Sequence, residues 1–187
     1  MEVLVETDKY SVAEFLALDT FEPDFTYELL NGEIVQRSSP HHQHQTVLFK
    51  LAKALDTFIS EKKSGILFIA PVDVYLDEEN YVVPDLIYLS EAKKVLLTEE
   101  GYVKGSPDII MEVLSPATAK HDKGDKMKIY RKHQIPEYWL IDTKNQSVEV
   151  YVFRNGDYDL DQLETGTGTV KSAVLQGFTL EITSIFS

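Results

Sequence analysis

The chain has 187 residues, 43% hydrophobic and 26% charged, a length and balance that suit one globular domain, residues 1–187, with a sizeable core. It holds no cysteine, which excludes disulfides, zinc–thiolate sites and cysteine nucleophiles. A formal net charge of -13 has the wrong sign for general nucleic-acid binding. The first residues, MEVLVETDKY, lack a basic-then-apolar leader, and no apolar run has membrane length; the expectation is a cytoplasmic protein with no membrane partner.

In chain order, Ser11 and Glu14 fit a capping box that opens a short helix through Phe15 and Leu18. Tyr27–Leu30 and Glu33–Arg37 flank Asn31-Gly32, which suits the tight turn of a β-hairpin. Ser39 as N-cap and Pro40 as first helical residue predict a helix running to about Glu61. Its buried stripe comprises His44, Leu48, Leu51, Leu55, Phe58 and Ile59. Two strands are predicted next, Ile66–Leu76 with an interruption at Pro71 and Tyr81–Leu89, and then an exposed connection over Ser90–Gly105.

Ile109–Leu114 is an almost continuously apolar strand, the kind covered on both faces, and Glu112 interrupts it. A helix over Asp122–His133 follows, carrying Asp122, Lys126 and Tyr130 on one face and ending before Pro136. Glu137–Asp142 is a further strand. Ser147–Arg154 pairs with about Tyr158–Leu160 across Asn155-Gly156, and a last short strand lies near Phe178–Ile182. The order implies an α/β (α+β) fold: a mixed sheet flanked by helices, with extra hairpins toward both ends.

Two acids sit in comparable settings, Asp85 in VVPDLIYL and Glu112 in IIMEVLSP. If their strands are neighbours the carboxylates meet, and two carboxylates in a dry site need a cation between them; oxygen donors suit magnesium or manganese. The other reading is that each acid lies at a strand end in water or pairs with a lysine. Lys126 is either an ordinary ion-pair partner of Asp122 or an ammonium reaching over the sheet toward a phosphate. His44 is a hydrogen-bonded core histidine or a site contact. Glu28 and Glu33 read as hairpin surface charge. His41, His42 and His44 lack the spacing of a helical zinc pair. Lys120, Lys123, Lys126, Lys128, Arg131, Lys132 and His133 crowd one segment, a local basic patch on an acidic body.

The ordered set YELLNGEIV, SPHHQHQTV, VVPDLIYL, GSPDIIMEVLSPAT, DKGDKMKIY and IPEYWLID, about Tyr27 to Tyr151, resembles the Uma-two family of the restriction-endonuclease-like PD-(D/E)XK superfamily. The resemblance implies a restriction-endonuclease-like core of helix, three strands, helix and strand. It implies that Asp85 and Glu112 bind Mg2+ or Mn2+, with the backbone carbonyl of Val113 as a further ligand. The superfamily's lysine belongs two residues after the second acid, where this chain has Leu114; Lys126 on the following helix is the matching position in the family. Glu28, Glu33 and His44 match family positions, with Asp122 and Tyr130 as supporting residues. The implied activity is metal-dependent endonucleolytic hydrolysis of DNA, in a protein that dimerises as the superfamily does. A nuclease-like fold serving as a binding or regulatory module is the alternative, and a hydrolase of small phosphoesters is a third.

Overall fold

The structure is a computed structural model that describes residues 9–19, 21–22, 25–37, 41–115 and 119–187. Helix α1, Val12–Leu16, opens on the expected capping box: Ser11 accepts from the Glu14 amide, and the Glu14 carboxylate accepts from the Ser11 amide at 2.8 Å. Strands β1 (Thr26–Leu30) and β2 (Glu33–Arg37) form the predicted hairpin, with Asn31 and Gly32 both at positive φ. Helix α2 spans His42–Lys62. The predicted cap at Ser39 and Pro40 lies outside the described residues. The helix buries His44, Leu48, Leu51, Leu55 and Ile59 as the spacing predicts, adds Val47 and Ala52, and leaves Phe58 half-buried.

The two strands expected next are each broken in two. Gly65–Ile69 (β3) and Val74–Asp77 (β4) lie in different sheets on either side of Pro71, and Asn80–Val82 (β5) and Leu86–Ser90 (β6) do the same around Pro84-Asp85. Proline lacks the amide a ladder needs, so each is a natural place for the chain to leave one sheet and enter another. The two crossings are tied together, since the Ala70 amide donates to the Asp85 carbonyl at 2.9 Å. The segment expected to be an open connection contains a 3-10 turn, Glu91–Leu96, and the short strand β7 (Val103–Lys104), which pairs in parallel with β4.

Strand β8 (Ile109–Leu114) is buried at every residue. It pairs antiparallel with β6 and parallel with β9 (Glu137–Asp142), so the sheet is mixed as predicted. Between β8 and β9 the chain runs through α3 (Ala119–His121), a wide π-helical turn (Asp122–Lys126) and α4 (Met127–Lys132). Helix α4 ends at Lys132, and Gln134 just beyond it takes a positive φ ahead of Pro136. Strands β10 (Ser147–Arg154) and β11 (Asp157–Thr165) form a hairpin longer than predicted. A small ladder of β12 (Thr169–Lys171) and β13 (Thr179–Glu181) follows, then the short helix α5 (Thr183–Phe186).

The main sheet has the order β11-β10-β9-β8-β6-β3, and a second sheet has the order β2-β1-β5-β4-β7. One face of the main sheet offers Leu86, Ile109, Met111, Val113 and Trp139 to α2. The other presents Ile87, Ile110, Leu114 and Leu140 to Ile129 and Tyr130 of α4 and to Leu30, Val74 and Val82 of the second sheet. Each large apolar side chain so buried contributes about 1.5–3 kcal/mol. Glu112 belongs to this second face, between the sheet and α4.

Candidate active site

Register explains how the two acids meet. Leu86 of β6 pairs with Met111 of β8 in an antiparallel ladder, so the residue just before β6, Asp85, lies beside the continuation of β8 at Glu112 and Val113. The Val113 amide, beyond the end of β6, finds its acceptor in Asp85 Oδ2 at 2.8 Å. The same oxygen faces His44 Nε2 of α2 at 3.0 Å. Burial works against ionisation of Asp85, but His44, the Arg37 charge and the Val113 amide outweigh it and hold the carboxyl below its ordinary value.

Glu112 is fully buried. Its Oε1 accepts from Lys126 Nζ at 2.8 Å and from the Tyr130 hydroxyl at 3.2 Å. Among the described residues no hydrogen-bond donor reaches its Oε2. Burial pushes the Glu112 carboxyl up to about 8; Asp122 and Asp85 repel its charge, against the pull of Lys126 and Arg37.

Lys126 reaches this point because α3, the π turn and α4 cross the polar side of the strand. Its ammonium is 2.8 Å from Glu28 Oε1 as well as from Glu112, and 3.4 Å from Asp122 Oδ1. The Asp122 carbonyl anchors the wide turn by accepting from the Tyr138 hydroxyl at 3.0 Å. Such a turn inside a helix is often found at functional sites. Burial disfavours the ammonium, yet Glu112 and Glu28 outweigh it and hold Lys126 above its ordinary value, so it stays charged. Glu28, in β1, also accepts from the Val83 amide at 2.7 Å and is buried, not a surface hairpin charge.

Of the residues singled out in the sequence, Glu28, His44, Asp85, Glu112, Val113, Asp122, Lys126 and Tyr130 are brought together. Glu33 is not: it is exposed at the start of β2, opposite Leu30. The sequence reading missed Arg37, the last residue of β2. Its Nη1 donates to the Val83 carbonyl at 2.7 Å, and its Nη2 lies 3.5 Å from Asp85 Oδ1 and 3.7 Å from Glu112 Oε2. Nη1 also lies 3.6 Å from Glu28. A hairpin arginine gives no local signal of this.

The basic patch is largely committed to acids elsewhere. Lys123 meets Glu149, Arg131 meets Asp157, and Lys132 and His133 both meet Asp77. A cleft of about 200 Å³ opens onto Asp85 and is lined by Thr26, Arg37, His44, Gln45, Pro71 and Ser115.

The residues can be judged as a divalent-cation site by their own charges. Four buried carboxylates, Glu28, Asp85, Glu112 and Asp122, surround the cations Arg37 and Lys126. Negative charge is in surplus, the donors are hard oxygens, and no donor among the described residues reaches Glu112 Oε2. That chemistry fits magnesium or manganese. No group of three or more acidic or histidine side chains among the described residues forms a ready cage, and Arg37 stands between the two acids.

Comparison with known proteins agrees with this architecture. Two uncharacterized proteins of Synechocystis sp. are similar to the chain. One is 29% identical over 153 residues, covering 81% of this chain and 85% of the relative. The other is 23% identical over 155 residues, covering 81% and 77%. A crystal structure from Anabaena variabilis, described as "a putative nuclease belonging to DUF820", superposes with a TM-score of 0.76 at 21% identity, over 94% of this chain and 97% of that one. That likeness establishes the shared fold. A family model described as "Putative restriction endonuclease" matches residues 12–183, and the chain therefore belongs to that family, Uma2.

Proposed function

We propose that this protein is a divalent-metal-dependent endonuclease that hydrolyses DNA phosphodiester bonds, with Mg2+ or Mn2+ held by Asp85, Glu112 and the Val113 carbonyl. One observation carries the reading: Asp85 Oδ1, just before β6, and Glu112 Oε2, in β8, face the same point at ion-pair distance while their partner oxygens are fixed by short hydrogen bonds. The carbonyl of a strand residue projects to the same side as its amide, so the Val113 carbonyl points the way its amide does, toward Asp85. When bound, the ion supplies Lewis-acid polarisation of the phosphate and a more acidic water.

The chain's own residues do the rest. The Val113 amide and His44 fix the orientation of Asp85. Lys126 stays an ammonium, so it places a water or steadies phosphate charge and does not act as the base. Leu114, where the superfamily has its lysine, turns into the apolar cluster against α4, and Lys126 supplies the charge from the helix instead.

A second reading, a nuclease fold retained as a binding or regulatory module, draws on the fact that Arg37 and Lys126 already partner the acids. Cleavage of plasmid and single-stranded DNA with Mg2+ or Mn2+ decides between them. Activity that drops by about a hundredfold or more in both Asp85→Asn and Glu112→Gln is expected. Activity that survives either substitution removes the nuclease assignment. The same reading includes a homodimer, to be checked by sedimentation at micromolar concentration.

A further inference from the structure

We infer that Arg37 occupies the cation's seat between Asp85 and Glu112, and that a divalent ion binds there by displacing its guanidinium into the cleft. The inference rests on the metal-site reading above and goes beyond it by assigning Arg37 a role.

The acid oxygens divide into two classes. Glu28 Oε1, Glu112 Oε1 and Asp85 Oδ2 are each held by partners at 2.7–3.2 Å: Lys126 with the Val83 amide, Lys126 with the Tyr130 hydroxyl, and the Val113 amide with His44. Asp85 Oδ1 and Glu112 Oε2 are different. Their shared partner is Arg37 Nη2, at 3.5 and 3.7 Å, distances at which charge acts but a directional hydrogen bond contributes little. These are the oxygens that can change partner without breaking the rest of the network.

An ion taking both oxygens would sit against Nη2. A double positive charge about 4 Å from a single one, in a pocket of low dielectric, repels by several kcal/mol. Arg37 cannot relieve this by losing its proton, because a guanidinium stays protonated throughout the working pH range of proteins. It must move. It stands at the end of β2 and lines the cleft, and among the described residues its short hydrogen bond is to the Val83 carbonyl. Turned outward, the guanidinium comes to the mouth of a site otherwise dominated by acids, where it can meet a phosphate oxygen in the bidentate manner arginine favours. Arg37 is then a positioning residue with two seats: it neutralises the acids when no ion is bound, and it greets the substrate when one is.

The experiment pairs calorimetry with side-chain reactivity. Mn2+ and Mg2+ binding is measured on the intact protein, and the same samples are treated with phenylglyoxal and mapped by mass spectrometry. The chain has three arginines, and Arg131 and Arg154 are internal controls at 47% and 46% side-chain exposure, against 12% for Arg37. Arg37 is expected to be protected without divalent ion and to react several-fold faster once the ion is bound, with the controls unchanged. Arg37→Met is expected to bind Mn2+ about tenfold more tightly than the parent and to melt at a lower temperature without it. Ion binding with Arg37 still protected overturns the exchange while leaving the metal site intact. No ion binding to either protein overturns both.

Discussion

The two faces of β8 are equally buried and built on opposite principles. Ile109, Met111 and Val113 meet α2 in an apolar cluster with Leu48, Leu51, Leu55 and Ile59, with Trp139 alongside. Ile110, Glu112 and Leu114 face α4, and between two aliphatic residues the strand presents a carboxylate to Lys126 and Tyr130. The first face stabilises by removing hydrocarbon from water. The second takes charge out of water and recovers that cost only through short, multiple contacts, and apolar residues of similar volume would often do as well or better. A fold that needed β8 only as a core strand would have no use for Glu112, which is why the proposed function is assigned to the polar face.

The contrast is broken most severely at Lys126. Lys126→Met keeps the volume but leaves Glu28, Glu112 and Asp122 without their shared ammonium, and a loss of about 3–5 kcal/mol in urea unfolding is expected. Met111→Ala on the opposite face should also cost about 2–5 kcal/mol, through a cavity, yet leave Mn2+ affinity unchanged. If the two variants perturb ion binding alike, the faces are not functionally distinct.

A second probe is pH. The Glu112 carboxyl rises from its ordinary 4.5 to about 8, so between those values the folded chain holds a proton that the unfolded chain does not. Its contribution to stability is complete below about pH 4.5 and is lost as pH climbs through about 8. Asp85 shifts the opposite way, and its contribution is lost only on acidification below the usual carboxylate range. Metal-free protein should therefore lose a few kcal/mol between pH 5 and 8, with a slope of up to about 1.4 kcal/mol for each pH unit. In Glu112→Gln that slope should flatten. A slope that persists in the variant assigns the titration to another group.

Much of this polar face was legible in the sequence, for reasons that are local. A carboxylate inside IIMEVL is conspicuous in one dimension, and the helical spacing of Asp122, Lys126 and Tyr130 follows from the period of the helix. The capping box and the Asn-Gly hairpin are equally local. What escaped depends on contacts between distant segments. Glu28 reads as a hairpin surface charge, and Arg37 gives no signal at all, until the second sheet lays that hairpin against β6 and β8. The run Lys120–His133 reads as a local basic patch because the acidic partners of Lys123, Arg131, Lys132 and His133, which are Glu149, Asp157 and Asp77, come from other elements. The segments across Pro71 and Pro84 read as one strand each, the first with an interruption at Pro71, because apolar patterning does not tell which of two sheets a segment joins.

The smallest test concerns Tyr130, which asks whether the polar face is a network or a single ion pair. Its ring is fully buried, packed edge-on to Tyr138 with centroids 5.0 Å apart, so Tyr130→Phe preserves the packing and removes only the hydroxyl. That hydroxyl donates to Glu112 Oε1 at 3.2 Å, longer than the 2.8 Å bond from Lys126 to the same oxygen. Losing the weaker of two donors should cost about 0.5–1.5 kcal/mol in urea unfolding. The consequence for the ion is more telling. Oε1 is the oxygen Lys126 already holds, and Oε2 is the one that faces Arg37, so Mn2+ affinity should change by less than about threefold, within ~0.6 kcal/mol. A large loss of affinity in Tyr130→Phe would mean that the hydroxyl orients the whole carboxylate, and that Lys126 alone does not fix Glu112 in place.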